Sequence, residues 1–139
     1  LYVGKFCSIA SNVTVYLGGN HRTDWVSTYP FGHIHQKTFP KFAGKGHPAS
    51  KGNVVIGNDV WIADNVTIMS GVTIGNGAVI ANNSHVFKDC EPYSIYGGNP
   101  AKLIEKRFTE KQINALQTLQ WWNWPTDRIN EFFTSSVQP

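Results

Sequence analysis

From Ile56 onward the chain repeats a β-branched aliphatic residue every sixth position: Ile56, Ile62, Ile68, Ile74, Ile80 and Val86. Four positions into each hexad stand Val60, Val66, Val72, Ala78, Ser84 and Cys90, all small or short, as side chains aimed into a narrow interior must be. Three positions in come Asp59, Asn65, Gly71, Gly77, Asn83 and Asp89, the residue types that best tolerate left-handed backbone angles. Each hexad is therefore expected to be a short strand closed by a turn. A period of six is not a multiple of 3.6, which excludes a one-sided helix, and antiparallel hairpins would not keep one residue type at one phase. A solenoid does. If three hexads complete one triangular coil, residues three hexads apart stack at about 4.8 Å, the spacing of neighbouring strands. Ile56 then lies over Ile74, Trp61 over Val79 and Ala63 over Ala81. The same phase opens the chain as Val3, Ile9 and Val15, with Cys7 and Val13 at the inward small position.

Between the two repeat blocks runs a non-repetitive, aromatic-rich stretch over about 18–52, which holds His21, His33, His35 and His47, four of the five histidines. Loops longer than about 12–15 residues without their own regular structure are usually functional in compact domains, so chemistry is expected there. After the last hexad, GGNPAK at 97–102 supplies turn residues and the period changes. Thr109 is an N-cap with Gln112 as its capping-box partner, ahead of Ile113 and Leu116 at helical spacing. Trp121, Trp122, Asn123, Trp124 and Pro125 interrupt that helix, and a second is expected from Thr126 to about Thr134, carrying Ile129, Phe132 and Phe133. This bulk is expected to pack on the coil or on a neighbouring subunit. The division is a solenoid over 1–108, containing the loop, and a helical extension over 109–139.

Composition narrows the class. With 139 residues the chain has room for one domain with a sizeable core, and 41% hydrophobic against 15% charged residues excludes a disordered body. A net charge of +3 is spread along the chain without a cluster or a recognisable module, so nucleic acid is not an expected partner. No run reaches the roughly 18 apolar residues of a membrane span and no signal peptide opens the sequence, so a cytoplasmic protein without a membrane partner is expected. The chain opens at Leu1, already in strand phase and without an initiating Met, which leaves room for preceding structure. Cys7 and Cys90 lack metal or disulfide spacing and fall at inward positions, so both are read as core.

Several segments resemble the hexapeptide-repeat acyltransferases, and within them the xenobiotic acetyltransferase branch that modifies streptogramin A and chloramphenicol. These are VGKFCSIASNV, GGNHRTDWVSTYPF, VVIGNDVWIADNVTIMSGVTIGNGAVIANNSHV, GGNPAK and WWNWP, in family order along nearly the whole chain. The resemblance implies a left-handed parallel β-helix with a protruding loop and a short C-terminal helical segment, assembled as a homotrimer that binds acetyl-CoA between adjacent helices. The hexads alone supply neither the hand nor the trimer, and the usual right-handed crossover rule would suggest the opposite hand.

It also implies direct acetyl transfer to an acceptor hydroxyl, with His21 as general base. An alcohol is a poor nucleophile at neutral pH, and an imidazole titrating near 6.5 can take its proton during attack on a thioester. The group orienting the other ring nitrogen is open between Asp24 and a backbone carbonyl. For the acceptor pocket the resemblance points to Tyr29, Pro30 and Lys51. For acetyl-CoA it points to Trp61, Ala63 and Ala81 along the coil, where small stacked residues admit the pantetheine arm, and to Asn99, Pro100, Lys102 and Arg107 at the nucleotide end. His33, His35 and His47 are read as solvated or packed loop residues, and His85 as the outward end of a hexad. A three-histidine zinc site of the γ-carbonic-anhydrase type is disfavoured, because the coil offers only His85. Two rivals stand beside this reading: a sugar or nucleotide-sugar O- or N-acetyltransferase of surface polysaccharide synthesis, and a non-catalytic solenoid that binds a ligand.

Overall fold

The computed structural model describes residues 1–136. Each hexad forms a two-residue strand: β1 (Tyr2–Val3), β2 (Ser8–Ile9), β3 (Thr14–Val15), β4 (Val55–Ile56), β5 (Trp61–Ile62), β6 (Thr67–Ile68), β7 (Thr73–Ile74), β8 (Val79–Ile80) and β9 (His85–Val86). Every third strand enters the same sheet, giving parallel orders β1-β4-β7 and β3-β6-β9, while β2, β5 and β8 form the third sheet. Ile56 pairs with Ile74 and Ile62 with Ile80, 18 positions apart, so the stacking read from the repeat is present. Val3 pairs with Ile56, 53 positions on, so the loop is ejected without disturbing register.

Alternation within each strand decides burial, since successive side chains point to opposite faces. Ile56, Ile62, Ile68, Ile74, Ile80 and Val86 are at most 1% exposed and share one core with Val60, Val66, Val72, Ala78 and Cys90. Cys7 is partly buried against that core, and burial pushes the Cys90 thiol up to about 12, so it remains an inert thiol. Corner backbone groups are satisfied by polar ladders. Asn58 N and Nδ2 both donate to Asn76 Oδ1, and Asn65 Nδ2 donates to Asn83 Oδ1.

Left-handed angles occur where the hexads place them, at Asp59, Asn65, Gly71, Gly77 and Asn83. Asp89 departs from the expectation: its carboxylate instead accepts from Thr73 N–H at 2.7 Å. Phe6 (φ 57°) and Tyr93 (φ 50°) take the left-handed conformation although their residue type disfavours it. Packing offsets the cost. The Phe6 ring lies 4.9 Å from that of Trp121, and Tyr93 is buried over Gly77. A Cβ on Gly77 (φ 69°) would sit 2.3 Å from the Tyr93 ring. Gly77→Ala is expected to cost about 2–4 kcal/mol from left-handed strain plus overpacking, read as a lower urea midpoint at unchanged m.

The exit adds an antiparallel hairpin that the repeat did not foretell. β10 (Ser94–Gly97) joins β8 and pairs with β11 (Lys102–Lys106) across the GGNPAK turn. Helix α1 (Glu110–Leu119) begins at the Thr109–Gln112 capping box and α2 spans Thr126–Ser136. Trp121, Trp122, Ile113 and Tyr93 form a second core, and Asn76 Nδ2 donates to Gln117 Oε1, tying α1 to the corner. The expected extension runs to residue 139, and its last three positions lie outside the described residues.

Candidate active site

The loop over 18–52 leaves from the corner after β3 and returns before β4, and its neck is closed by hydrogen bonds. Asn20 and Ala49 exchange backbone bonds of 2.9 and 2.8 Å, and Ser50 Oγ donates to Leu17 O at 2.6 Å. Ser70 Oγ, 3% exposed in the coil, accepts from Asn20 Nδ2 at 2.9 Å and from Lys51 N–H at 3.2 Å, so one hydroxyl holds both ends of the loop. Further out, half-buried Phe31 packs its ring on Tyr29, Phe39 and Phe42 and gives the loop a small cluster of its own. Ser70→Ala leaves both donors without this partner and is expected to cost about 1–3 kcal/mol locally. Faster proteolytic cleavage within the loop, with the coil intact, checks it.

His21 follows Asn20 directly, so the clasp sets its backbone. Its Nδ1 lies 2.7 Å from the carbonyl oxygen of Thr28. A carbonyl only accepts, so Nδ1 carries the proton and donates, and the neutral ring keeps its lone pair on Nε2. The ring is exposed. Of the two orienting groups the sequence left open, the backbone carbonyl is the one present. Asp24 is committed to Arg22, whose Nε donates to Oδ1 at 2.8 Å and whose Nη2 donates to Oδ2. That hydrogen bonding holds the Asp24 carboxyl below its ordinary range. Beside His21, ring to ring at 5.1 Å, lies buried His47.

A second cleft, of about 520 Å³, opens where the C-terminal helices cover the corner of Phe6, Asp59 and Tyr93. Burial raises the Asp59 carboxyl and, reinforced by Asp59, pushes the Tyr93 phenol up to about 12. The phenol stays protonated at neutral pH and no imidazole lines this cleft. Proton transfer at an exposed nitrogen is available at His21 instead.

The pattern of bacterial transferase hexapeptides (six repeats) matches residues 53–88. A probable macrolide acetyltransferase of Lysinibacillus sphaericus is 53% identical over 133 residues, covering 93% of this chain and 72% of that protein. This chain belongs to the hexapeptide-repeat acetyltransferases. A chloramphenicol acetyltransferase of Klebsiella aerogenes is 48% identical over 93% of the chain, and the chain spans 62% of that relative's length. Among solved structures, the hexapeptide-repeat acetyltransferase of Vibrio cholerae O1 biovar eltor complexed with acetyl coenzyme A superimposes with a TM-score of 0.58. It is 28% identical, over 76% of this chain and 49% of that one.

Within this hexapeptide-repeat chain, the residues singled out from sequence fall into separate groups. Trp61 is on the outer face of β5, half exposed, with Ala63 just after it. Ala81 stands one coil on and touches Gly97 of β10, 3.2 Å from where a Cβ would be. Asn99 and Pro100 form the exposed turn between β10 and β11, and Lys102 opens β11, so these three share the edge nearest Ala81. Arg107 is not brought to them. It lies just past the far end of β11, roughly 17 Å of extended chain from Lys102. Its Nη1 donates to Gly77 O at 2.7 Å and its guanidinium lies over Tyr93 and Phe108. Tyr29 and Pro30 sit in the loop, Tyr29 exposed on Phe31 and Pro30 half-buried, whereas the neighbouring loop cavity is lined by Trp25, Val26, Phe31 and Phe42. Lys51 is at the neck, linked to Asn20 through Ser70.

Ser70 was not singled out from sequence, and His47 was read there as a solvated or packed loop residue. Ser70 stands in the corner row occupied elsewhere by Asn58, Asp64, Asn76 and Asn82, and that exception was its one visible signal. Among the described residues no group of three His, Cys, Asp or Glu side chains could hold a metal ion, and no helix is long and apolar enough to cross a membrane.

Proposed function

We propose that this chain is an acetyl-CoA-dependent O-acetyltransferase whose general base is His21. The observation that carries the proposal is the His21 Nδ1–H bond to Thr28 O, which leaves the Nε2 lone pair on an exposed ring. Relatives named as chloramphenicol and macrolide acetyltransferases, and a neighbour complexed with acetyl coenzyme A, support it. In this reading the three sheets wind as a left-handed β-helix, residues 1–108 are the scaffold and 109–139 its extension. Three copies shelter the thioester between neighbouring coils.

Nε2 takes the acceptor hydroxyl proton while the oxygen attacks the thioester carbonyl, and the proton then passes from the imidazolium to the departing thiolate. A covalent enzyme intermediate is unnecessary. Trp61, Ala63 and Ala81 flank the pantetheine arm. Asn99, Pro100 and Lys102 serve the phosphate-bearing end, without Arg107. Tyr29, Pro30 and Lys51 border the acceptor.

The test is thiol release from acetyl-CoA with streptogramin A, chloramphenicol and a set of sugars, each product weighed by mass spectrometry. Hydroxyl-dependent release with one added acetyl group supports the proposal. Turnover with sugars alone moves the acceptor to surface polysaccharides, and no turnover with any acceptor favours a binding solenoid.

A further inference from the structure

Resting on the reading of His21 as base, we infer that His47 is a positioning residue that latches the segment carrying the catalytic histidine. His47 is 5% exposed, and its Nδ1 accepts the backbone N–H of Arg22, the residue after the base, at 2.7 Å. An acceptor at Nδ1 requires a neutral ring with its proton on Nε2, and that Nε2–H is buried without a partner. The Trp25 ring meets His47 edge-on at 5.3 Å and fills the space a Cβ on Gly46 (φ 85°) would take, so residues 25 and 46 together seat the imidazole. The titratable and charged groups facing His47 are His21 at 5.1 Å, the Arg22 segment and the Asp24 carboxylate paired with Arg22.

An apolar side chain would fill this space without stranding a donor. What the imidazole supplies is the Nδ1 lone pair that fixes the chain beside His21.

Steady-state kinetics of the full chain test this. His47→Asn keeps an acceptor where Nδ1 was, and it is expected to retain turnover within about threefold. His47→Leu, which lacks the acceptor, is expected to lose kcat about tenfold or more with KM nearly unchanged. Equal impairment of the Asn and Leu variants overturns the inference. The Arg22 amide proton resonance is a readout independent of turnover. It is expected to stay near its wild-type position in His47→Asn and to shift in His47→Leu, and equal shifts in the two variants overturn the latch. If His21→Ala keeps normal turnover, the base assignment fails while the amide measurement still decides whether His47 holds Arg22.

Discussion

Replacing His21 with alanine is expected to lower kcat by about 10²- to 10⁴-fold, the usual contribution of a positioned general base. The magnitude follows from what is removed. Without the imidazole the acceptor hydroxyl must attack as a neutral alcohol or lose its proton to water. The fold should not change, because the ring is exposed and its hydrogen bond, to Thr28 O, lies within the loop. Circular dichroism and the urea midpoint should therefore match wild type. His21→Asn is the sharper companion: its side chain can still donate to Thr28 O but offers no basic lone pair, so it should be nearly as slow as the alanine variant. Near-normal kcat in either would remove His21 from the chemistry.

The largest expected effect on stability is at Ile62, which is fully buried and stacked between Ile9 and Ile80 of neighbouring strands. Ile62→Ala is expected to cost about 2–5 kcal/mol, the transfer free energy of the lost methyl groups plus the cavity left behind. Flanking coils are fixed by their own backbone ladders and have little freedom to collapse into it. Thr73, on the exposed outer face of β7, is the control, and Thr73→Ala should stay within about 0.5 kcal/mol. Equal midpoint shifts for the two variants in urea would contradict the inward phase of the hexads.

The scaffold was legible because a two-residue strand has one inward position, and a β-branched residue returning there every sixth place has few structural explanations. The turns were legible for a similar reason, since Asp59, Asn65, Gly71, Gly77 and Asn83 suit left-handed angles by residue type. Phe6 and Tyr93 occupy the same conformation, but what holds them is packing against Trp121 and over Gly77, residues far away in sequence. The β10–β11 hairpin was hidden for a different reason: its strands follow neither the hexad phase nor a simple inside–outside alternation. At the site, His21 was found through the segment around it, whereas its orienting partner is a backbone carbonyl, which every residue possesses. His47 carries no local signal at all, because its burial depends on Trp25 crossing over Gly46.

Direct transfer is tested most closely by following the acetyl group itself. The protein is mixed with acetyl-CoA labelled in the acetyl carbonyl, first alone and then with a hydroxyl acceptor, and quenched at intervals. Direct transfer predicts that label moves to the acceptor hydroxyl one for one with free coenzyme A, with none on the protein at any time. Label held covalently by the protein before the acceptor is added, or thiol released equally fast without one, would contradict it.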